Sequence, residues 1–229
     1  MNQQITHSSL SDLPLPKRLL VILLRSFFKL LYHQFAWTYD WVASIVSLGA
    51  WKSWVLSAPS YLDSRRTLEI GFGPGHLQLA LHQMGITAIG LDESSQMAKT
   101  ARRRLLRHGL RPNLIRGEAE SLPFADDCFH QVVMTFPAEF ILNQKTLSDV
   151  YRVLIKGGKA IVIPLAWLTG RNPLERLFAW VNRITGEAPE WDEKSLEPLK
   201  RLGFTVSWDL VNLPTSKVLI IQLVKPVSN

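Results

Sequence analysis

Three glycines that alternate with other residues form the stretch of this chain with the clearest chemical meaning. Gly71, Gly73 and Gly75 follow Glu69 at the end of an apolar run. Glycines in such a pattern allow a sharp turn and let a ligand approach the backbone without meeting a Cβ atom. A helical pattern begins directly after them, and the free N–H groups at the start of a helix favour polar or anionic ligand groups. The pattern predicts a nucleotide-type cofactor site at a strand-to-helix crossover.

The spacing of these glycines separates two classes of cofactor. A dinucleotide fingerprint, Gly-x-Gly-x-x-Gly, would place its third glycine at position 76. This chain has His76 there, and its third glycine comes one residue earlier. The resulting Glu-x-Gly-x-Gly-x-Gly resembles motif I of the class I S-adenosylmethionine (SAM) methyltransferases. For this motif alone, a turn that only packs a strand against a helix is the alternative.

Two acidic positions follow in the order found in that family. Asp92 ends the next apolar run, about 20 residues after the first glycine, where a carboxylate can accept hydrogen bonds from ribose hydroxyls. Residues 117–124 read GEAESLPF and resemble the family's GDAxxLPF segment. The resemblance implies that Glu118 meets the adenine amino group and that the next backbone N–H, of Ala119, meets a ring nitrogen. Glu118 replaces the usual Asp, so its longer side chain has to fold back.

Two later segments complete the series. Residues 129–136 are typical of a buried fourth strand, with His130 where the family usually has Asp. Residues 149–163 read DVYRVLIKGGKAIVI and resemble the family's EvxRVLKPGGrlvi, a helix, a glycine turn and a fifth strand, with Ile155-Lys156 in place of Lys-Pro. The resemblance covers residues 64–164, and the chain is identified as similar to the type 11 methyltransferases. It implies SAM as the cofactor, bound by Glu69, Gly71, Phe72, Gly73, Gly75, Asp92, Glu93, Glu118, Ala119 and Thr135.

These elements predict an α/β fold of the Rossmann-like kind. We expect a seven-stranded, mostly parallel sheet with helices on both faces, closed by an antiparallel hairpin from residues 203–208 and 217–224. Residues 61–229 would form the SAM-binding domain, and residues 1–60 a helical N-terminal extension or lid. Residues 164–200 interrupt the usual passage to the sixth strand, and we expect this insertion to cover the acceptor pocket.

The segment before the sheet domain resembles a narrower family. Residues 35–54 carry an A-x-x-YD pair, an S-x-G turn and a W-K pair, like the start of the ubiquinone/menaquinone biosynthesis C-methyltransferases. In that family this prefix forms a lid over the methionine end of the cofactor, which implies that Tyr39 lies near the transferred methyl. Aromatic packing within the lid is the alternative for Tyr39.

The acceptor side offers two candidate catalytic residues, Tyr39 and Glu139. A base is needed only where the acceptor carries a proton near neutral pH. The segment after the fourth strand, TFPAEF, lacks the Asn/Asp-Pro-Pro-Tyr/Phe of enzymes that methylate amino groups of nucleic-acid bases. It also lacks the arginine of the quinone family's GxRN-like segment, which leaves the acceptor open.

Composition sets the broad class. The chain has 229 residues and a mass of 26.0 kDa, which fits one domain with an extension. Its single cysteine, Cys128, excludes an internal disulfide and fits a reducing, cytoplasmic compartment. No Cys/His cluster has metal-ligand spacing, so no metal site is predicted.

The net charge of +7 indicates an anionic partner, and two basic segments could meet it. Residues 94–108 read as a helix with Ser94 as its N-cap and Gly109 as its stop. We expect Met97, Ala101 and Leu105, with Ala98 and Leu106, to face the sheet, and the arginines to form an outer face. A solvated face is favoured over a binding patch there, and nucleic acid is an unlikely partner.

The other basic segment is residues 17–31, KRLLVILLRSFFKLL. It is too short and too charged to span a bilayer, which takes about 20 apolar residues. A basic amphipathic helix suits the interface of an anionic membrane, and we expect it to bind the inner face of that membrane. A helix packed over the domain or over a second subunit explains the same pattern.

The sequence therefore predicts a SAM-dependent methyltransferase with a small hydrophobic or lipid-like acceptor. Two alternatives stay open: an RNA methyltransferase that uses the basic residues 99–116, and a SAM-binding protein without catalytic activity.

Overall fold

Seven strands form one sheet in the computed structural model, which describes residues 49–136, 143–169 and 196–227. The strands are β1 (Thr67–Ile70), β2 (Ala88–Asp92), β3 (Leu114–Arg116), β4 (Phe129–Thr135), β5 (Leu154–Leu168), β6 (Thr205–Asn212) and β7 (Ser216–Val224). They lie in the order β3-β2-β1-β4-β5-β7-β6. Neighbours among β1 to β5 are parallel, whereas β7 runs antiparallel between β5 and β6. The predicted Rossmann-like sheet with its closing hairpin is confirmed.

Six short helices connect or precede these strands within the described ranges. They are α1 (Trp51–Val55), a 3-10 helix (Ala58–Tyr61), α2 (His76–Gln83), α3 (Ser95–Arg107), α4 (Gln144–Val153) and α5 (Glu197–Arg201). Two of them begin where polar side chains cap free N–H groups. The Ser94 hydroxyl accepts a hydrogen bond from the Met97 N–H at 3.3 Å, and the Asn143 side chain accepts one from the Lys145 N–H at 2.9 Å. None of the helices in the described ranges is long and apolar enough to cross a membrane.

The core has two halves, one on each face of the sheet. Val132 and Val133 are neighbours on β4, and because side chains alternate along a strand they belong to opposite halves. The first half packs β1 and β4 against α4 and α5, through residues such as Leu147 and Leu199. The second half packs the sheet against α1 and α2, through Leu77 among others. Helices on both faces, as predicted, therefore bury all of β1 and most of β4.

α1 and the 3-10 helix belong to the second half of the core. Trp54, Val55 and Ala58 are buried there, and the Trp54 Nε1–H donates a buried hydrogen bond to the Ser216 Oγ at 2.7 Å. The predicted extension ended at residue 60, but its last twelve residues, 49–60, pack as part of the sheet domain. The remainder of the predicted lid, including residues 17–31, lies outside the described residues.

β5 is longer than the sequence predicted. It runs to Leu168 and pairs with β7 through Ala166↔Val218 and Leu168↔Ser216. Residues 164–168, predicted as the start of the insertion, are therefore strand, because β7 offers them a hydrogen-bonding partner. Most of the remaining insertion, residues 170–195, lies outside the described residues.

α3 has the predicted boundaries but not all of the predicted buried face. Met97, Ala101 and Leu105 are buried against the sheet. Leu106 is 47% exposed, contrary to expectation, because one further residue turns the side chain by about 100° away from Leu105. The Arg104 guanidinium reaches back and donates a hydrogen bond to the Pro74 carbonyl in the glycine turn.

Candidate functional site

The glycine turn between β1 and α2 has a left-handed backbone at three positions. The φ angles of Gly71, Gly73 and Gly75 are 75°, 50° and 81°, which glycine adopts without steric cost. A Cβ atom on Gly73 would meet nothing within 4 Å, whereas one on Gly75 would lie 2.7 Å from the Ala101 Cβ. Gly73 therefore leaves open space where a ligand fits, and Gly75 lets α3 pack closely against the turn.

Asp92 lies at the end of β2 beside this turn and is 5% exposed. Its Oδ2 accepts a hydrogen bond from the Gly73 N–H and its Oδ1 accepts one from the Ser94 N–H, both at 2.8 Å. Burial raises the pKa of Asp92, and these two N–H groups oppose that rise. A carboxylate has about four acceptor positions, so the two N–H donors fix its orientation and leave two positions for ligand hydroxyls.

Glu69 lies beneath the turn and is completely buried. The Gln78 Nε2–H donates a hydrogen bond to its Oε2 at 2.7 Å, which ties α2 to β1. Burial raises the pKa of Glu69 to about 8, because a charged carboxylate loses its hydration there. The Gln78 Oε1 is buried and accepts no hydrogen bond from the described part of the chain. Because the pKa of Glu69 is raised to about 8, its carboxyl is largely uncharged near neutral pH.

Two adjoining pockets lie at the carboxyl edge of the parallel strands, and both include Gly71. The larger has a volume of about 210 Å³ and is lined by Ile70, Gly71, Leu91, Asp92, Glu93, Gly117, Glu118, Ala119 and Glu120. The smaller has a volume of about 40 Å³ and is lined by Trp51, Val55, Glu69, Gly71, Phe72, Gly73, Pro74, His76, Leu77 and Thr135. Ligands of open α/β sheets bind at this edge, where the strand order reverses.

The two pockets bring together every predicted cofactor-binding residue except Gly75. Asp92, Glu93, Glu118 and Ala119 line the larger pocket, while Glu69, Phe72, Gly73 and Thr135 line the smaller, with Gly71 in both. Trp51 and Pro74 also line the smaller pocket and had no predicted cofactor role. His76 lines it too, and the sequence left open a place near the cofactor or packing at the start of α2. The W-K pair before the turn and the position of His76 at the start of α2 were the available signals. Tyr39 and Glu139, the candidate catalytic residues, lie outside the described residues.

The loop that contributes Glu118 and Ala119 is held in place by α4. Arg152 donates hydrogen bonds to the carbonyl oxygens of Leu122 and Phe124 at 3.0 and 2.7 Å. The Asp149 carboxylate accepts one from the Leu122 N–H at 2.6 Å and another from Arg152 at 2.9 Å. This pair explains the acid and arginine of the DVYRVL segment, which sequence reasoning interpreted only as part of a helix. The spacing of three residues on one helix face was the signal.

The fold and the site together define a SAM-dependent methyltransferase domain. Residues 68–162 match the family model described as "Methyltransferase domain". The predicted class and the predicted cofactor, SAM, are confirmed. Groups of acidic, cysteine or histidine residues that could hold a metal ion are absent from the described residues.

Two relatives in sequence are ubiquinone/menaquinone biosynthesis C-methyltransferases UbiE. The Legionella pneumophila protein is 32% identical over 141 residues, which are 58% of this chain and 56% of that protein. The Pectobacterium carotovorum protein is 29% identical over 187 residues, which are 78% of this chain and 69% of that protein. The chain thus spans little more than half the length of the first relative.

A solved structure shows the same fold. Phosphoethanolamine N-methyltransferase 2 of Haemonchus contortus, in complex with S-adenosyl-L-methionine, has a TM-score of 0.60 and is 18% identical. The match covers 83% of this chain and 56% of that chain. At this identity, the likeness supports the fold and not the acceptor.

Proposed function

We propose that the protein transfers a methyl group from SAM to a small hydrophobic, lipid-like acceptor. The observation that carries the proposal is the apolar wall of the smaller pocket, where Trp51, Val55 and Leu77 lie beside the glycine turn. An acceptor that enters there would meet aromatic and aliphatic side chains. The names of the relatives point the same way, since they describe C-methylation in quinone biosynthesis.

The residues of the two pockets fit SAM. Asp92 keeps two acceptor positions for the ribose hydroxyls, and the loop with Glu118 and Ala119 would hold the adenine. The open space at Gly73 would receive the amino-acid end. When bound, SAM supplies a methyl group on a positively charged sulfonium, which an acceptor nucleophile takes by in-line displacement.

The protein's own contribution would be positioning and the exclusion of water, because the sulfonium is already reactive. Trp51 and Phe136 form an aromatic wall with ring centroids 4.3 Å apart. Phe136 has a left-handed backbone with φ of 47°, and its N–H donates a hydrogen bond to the Ile163 carbonyl at 2.7 Å. A strained residue held in this way is common at functional sites. Tyr39 and Glu139 stay the candidate bases for an acceptor that carries a proton.

The test is product identification with isotope-labelled SAM. The full chain is incubated with a total lipid and metabolite extract, and a quinol with an unmethylated ring position is included as a defined acceptor. We expect label in the organic phase, and loss of that label with Asp92→Ala. Label in RNA instead would support the nucleic-acid alternative. Tight SAM binding without turnover on any fraction would support the non-catalytic one.

A further inference from the structure

The outer surface of α3 concentrates positive charge. Lys99, Arg102, Arg103 and Leu106 follow the i, i+3, i+4, i+7 spacing of one helix face, and Arg107 extends that face. We call these five residues the basic face. All five side chains are exposed, opposite the buried stripe that packs on the sheet.

The basic face has no negative partner within the protein as described. The ion pairs among the described residues involve other basic side chains. Lys99, Arg103 and Arg107 succeed one another at intervals of four, an arrangement of like charges that destabilises a helix. An external anion would relieve this repulsion.

A recess on α3 offers a place for such an anion. It has a volume of about 260 Å³ and is lined by Thr100, Arg103, Arg104, Arg107 and His108. The hydrogen bond from Arg104 to the Pro74 carbonyl connects this recess to the glycine turn. Because three arginines line the recess, it is strongly basic and suits the binding of a phosphate group.

One apolar side chain decides between classes of partner. Leu106 is 47% exposed and lies in the middle of the basic face. Surfaces that bind single-stranded nucleic acid combine positive charge with aromatic side chains for stacking, and the basic face has none. Cations around an exposed aliphatic residue instead suit a bilayer, where the cations meet headgroups and the leucine meets the acyl boundary.

We propose that the basic face of α3 binds the surface of an anionic lipid bilayer. The proposal does not depend on the acceptor, and it concerns a different segment from the predicted helix of residues 17–31. α3 packs against the glycine turn through Ala101 on its buried stripe, so a bilayer on the basic face would lie on the other side of α3 from that turn.

The experiment is co-sedimentation of the full chain with vesicles of phosphatidylcholine alone or mixed with phosphatidylglycerol. We expect binding only to the mixed vesicles, and weaker binding as salt is raised. The variant Arg102→Gln/Arg103→Gln/Arg107→Gln keeps good helix formers and should reduce the partition coefficient by roughly tenfold or more. Leu106→Gln should remove the binding that persists at high salt.

The matched control is Lys145→Gln/Lys156→Gln/Arg201→Gln, which removes the same charge from exposed positions elsewhere. Wild-type SAM affinity in both triple variants, measured by calorimetry, shows that they are folded. Equal loss of vesicle binding in the two variants would overturn the proposal, since net charge alone would then account for it. Failure of the wild type to bind mixed vesicles at low salt would also overturn it. So would binding to an RNA oligonucleotide that depends on the basic face without any vesicle binding.

Discussion

At the scale of single residues, Asp92 joins three parts of the site: the end of β2, the glycine turn and the start of α3. Hydrogen bonds to a charged group contribute about 1.5–3 kcal/mol each. Asp92→Ala should therefore weaken SAM binding by roughly tenfold to a hundredfold or more, measured by titration calorimetry. Asp209→Ala, the same change on the exposed face of β6, is the control. Unchanged affinity in Asp92→Ala would remove Asp92 from the cofactor site.

Glu69 gives the protein a specific dependence of stability on pH. Its pKa is raised from 4.5 to about 8 in the folded state, so the folded protein holds a proton that the unfolded chain releases. The resulting stabilisation is fully present below the unfolded pKa and is lost as pH rises through the folded pKa. The slope of the unfolding free energy approaches about 1.4 kcal/mol per pH unit for one proton.

Glu69→Gln should flatten this slope, because an amide of similar shape does not titrate. Urea unfolding of wild type and variant is compared between the two pKa values of Glu69, from pH 4.5 to about pH 8. We expect the variant to be the more stable protein at the alkaline end. Parallel pH profiles would show that Glu69 does not carry the proton.

At the scale of elements, the two glycines Gly73 and Gly75 should respond differently to the same substitution. Alanine costs about 1–2 kcal/mol at each, because both have a left-handed backbone. Gly75→Ala should destabilise the fold further, since its Cβ would overlap Ala101. Gly73→Ala should leave a folded protein with weakened SAM binding. Thermal unfolding and calorimetry separate the two effects.

A double-mutant cycle checks the origin of the larger cost. Ala101→Gly removes the atom that a Cβ on Gly75 would meet at 2.7 Å, so it should recover part of the stability lost in Gly75→Ala. If the effects of Gly75→Ala and Ala101→Gly on stability were additive, steric overlap with α3 would not be the origin of the larger cost.

The contact between α4 and the loop of Glu118 is tested by Arg152→Gln. The change removes hydrogen bonds to two carbonyl oxygens, so we expect a loss of about 1–3 kcal/mol in the free energy of unfolding and weaker SAM binding. Arg201→Gln, at the exposed end of α5, is the control for charge. If SAM affinity were unchanged, Arg152 would not position this loop.

Local patterns predicted most of the elements, because the glycine turn follows the end of β1 and Ser94 caps α3. The predicted turn at Gly157 and Gly158 is instead part of β5. Local patterns failed where distant residues decide the outcome. The length of β5 depends on pairing with β7, about fifty positions later in the chain, and the role of Arg152 depends on carbonyl groups that no side-chain pattern shows. Most residues of the cofactor pockets could be predicted from the order of the motifs. The place of Trp51 in the smaller pocket could not, because it depends on how α1 packs against the turn.

At the scale of the whole molecule, the boundary between extension and domain can be located by truncation. A chain that lacks residues 1–48 should unfold cooperatively and bind SAM, but without the predicted lid it should not turn over. A chain that lacks residues 1–60 also loses Trp54 and Val55 from the core, and removal of a buried tryptophan alone costs about 3–5 kcal/mol. Circular dichroism should show a much lower melting temperature for the shorter chain. Equal melting temperatures would place the boundary at residue 60.

The hydrogen bond between Trp54 and Ser216, which joins α1 to β7, also bears on how the chain folds during its synthesis. Because β7 follows β6 in the sequence yet lies between β5 and β6, the sheet lacks an inner strand until residues 216–224 leave the ribosome. Val218 and Ile220 complete the second half of the core only then. A nascent chain therefore exposes Trp54 and its neighbours until β7 has been synthesised, and this half of the core is protected against proteases only after that.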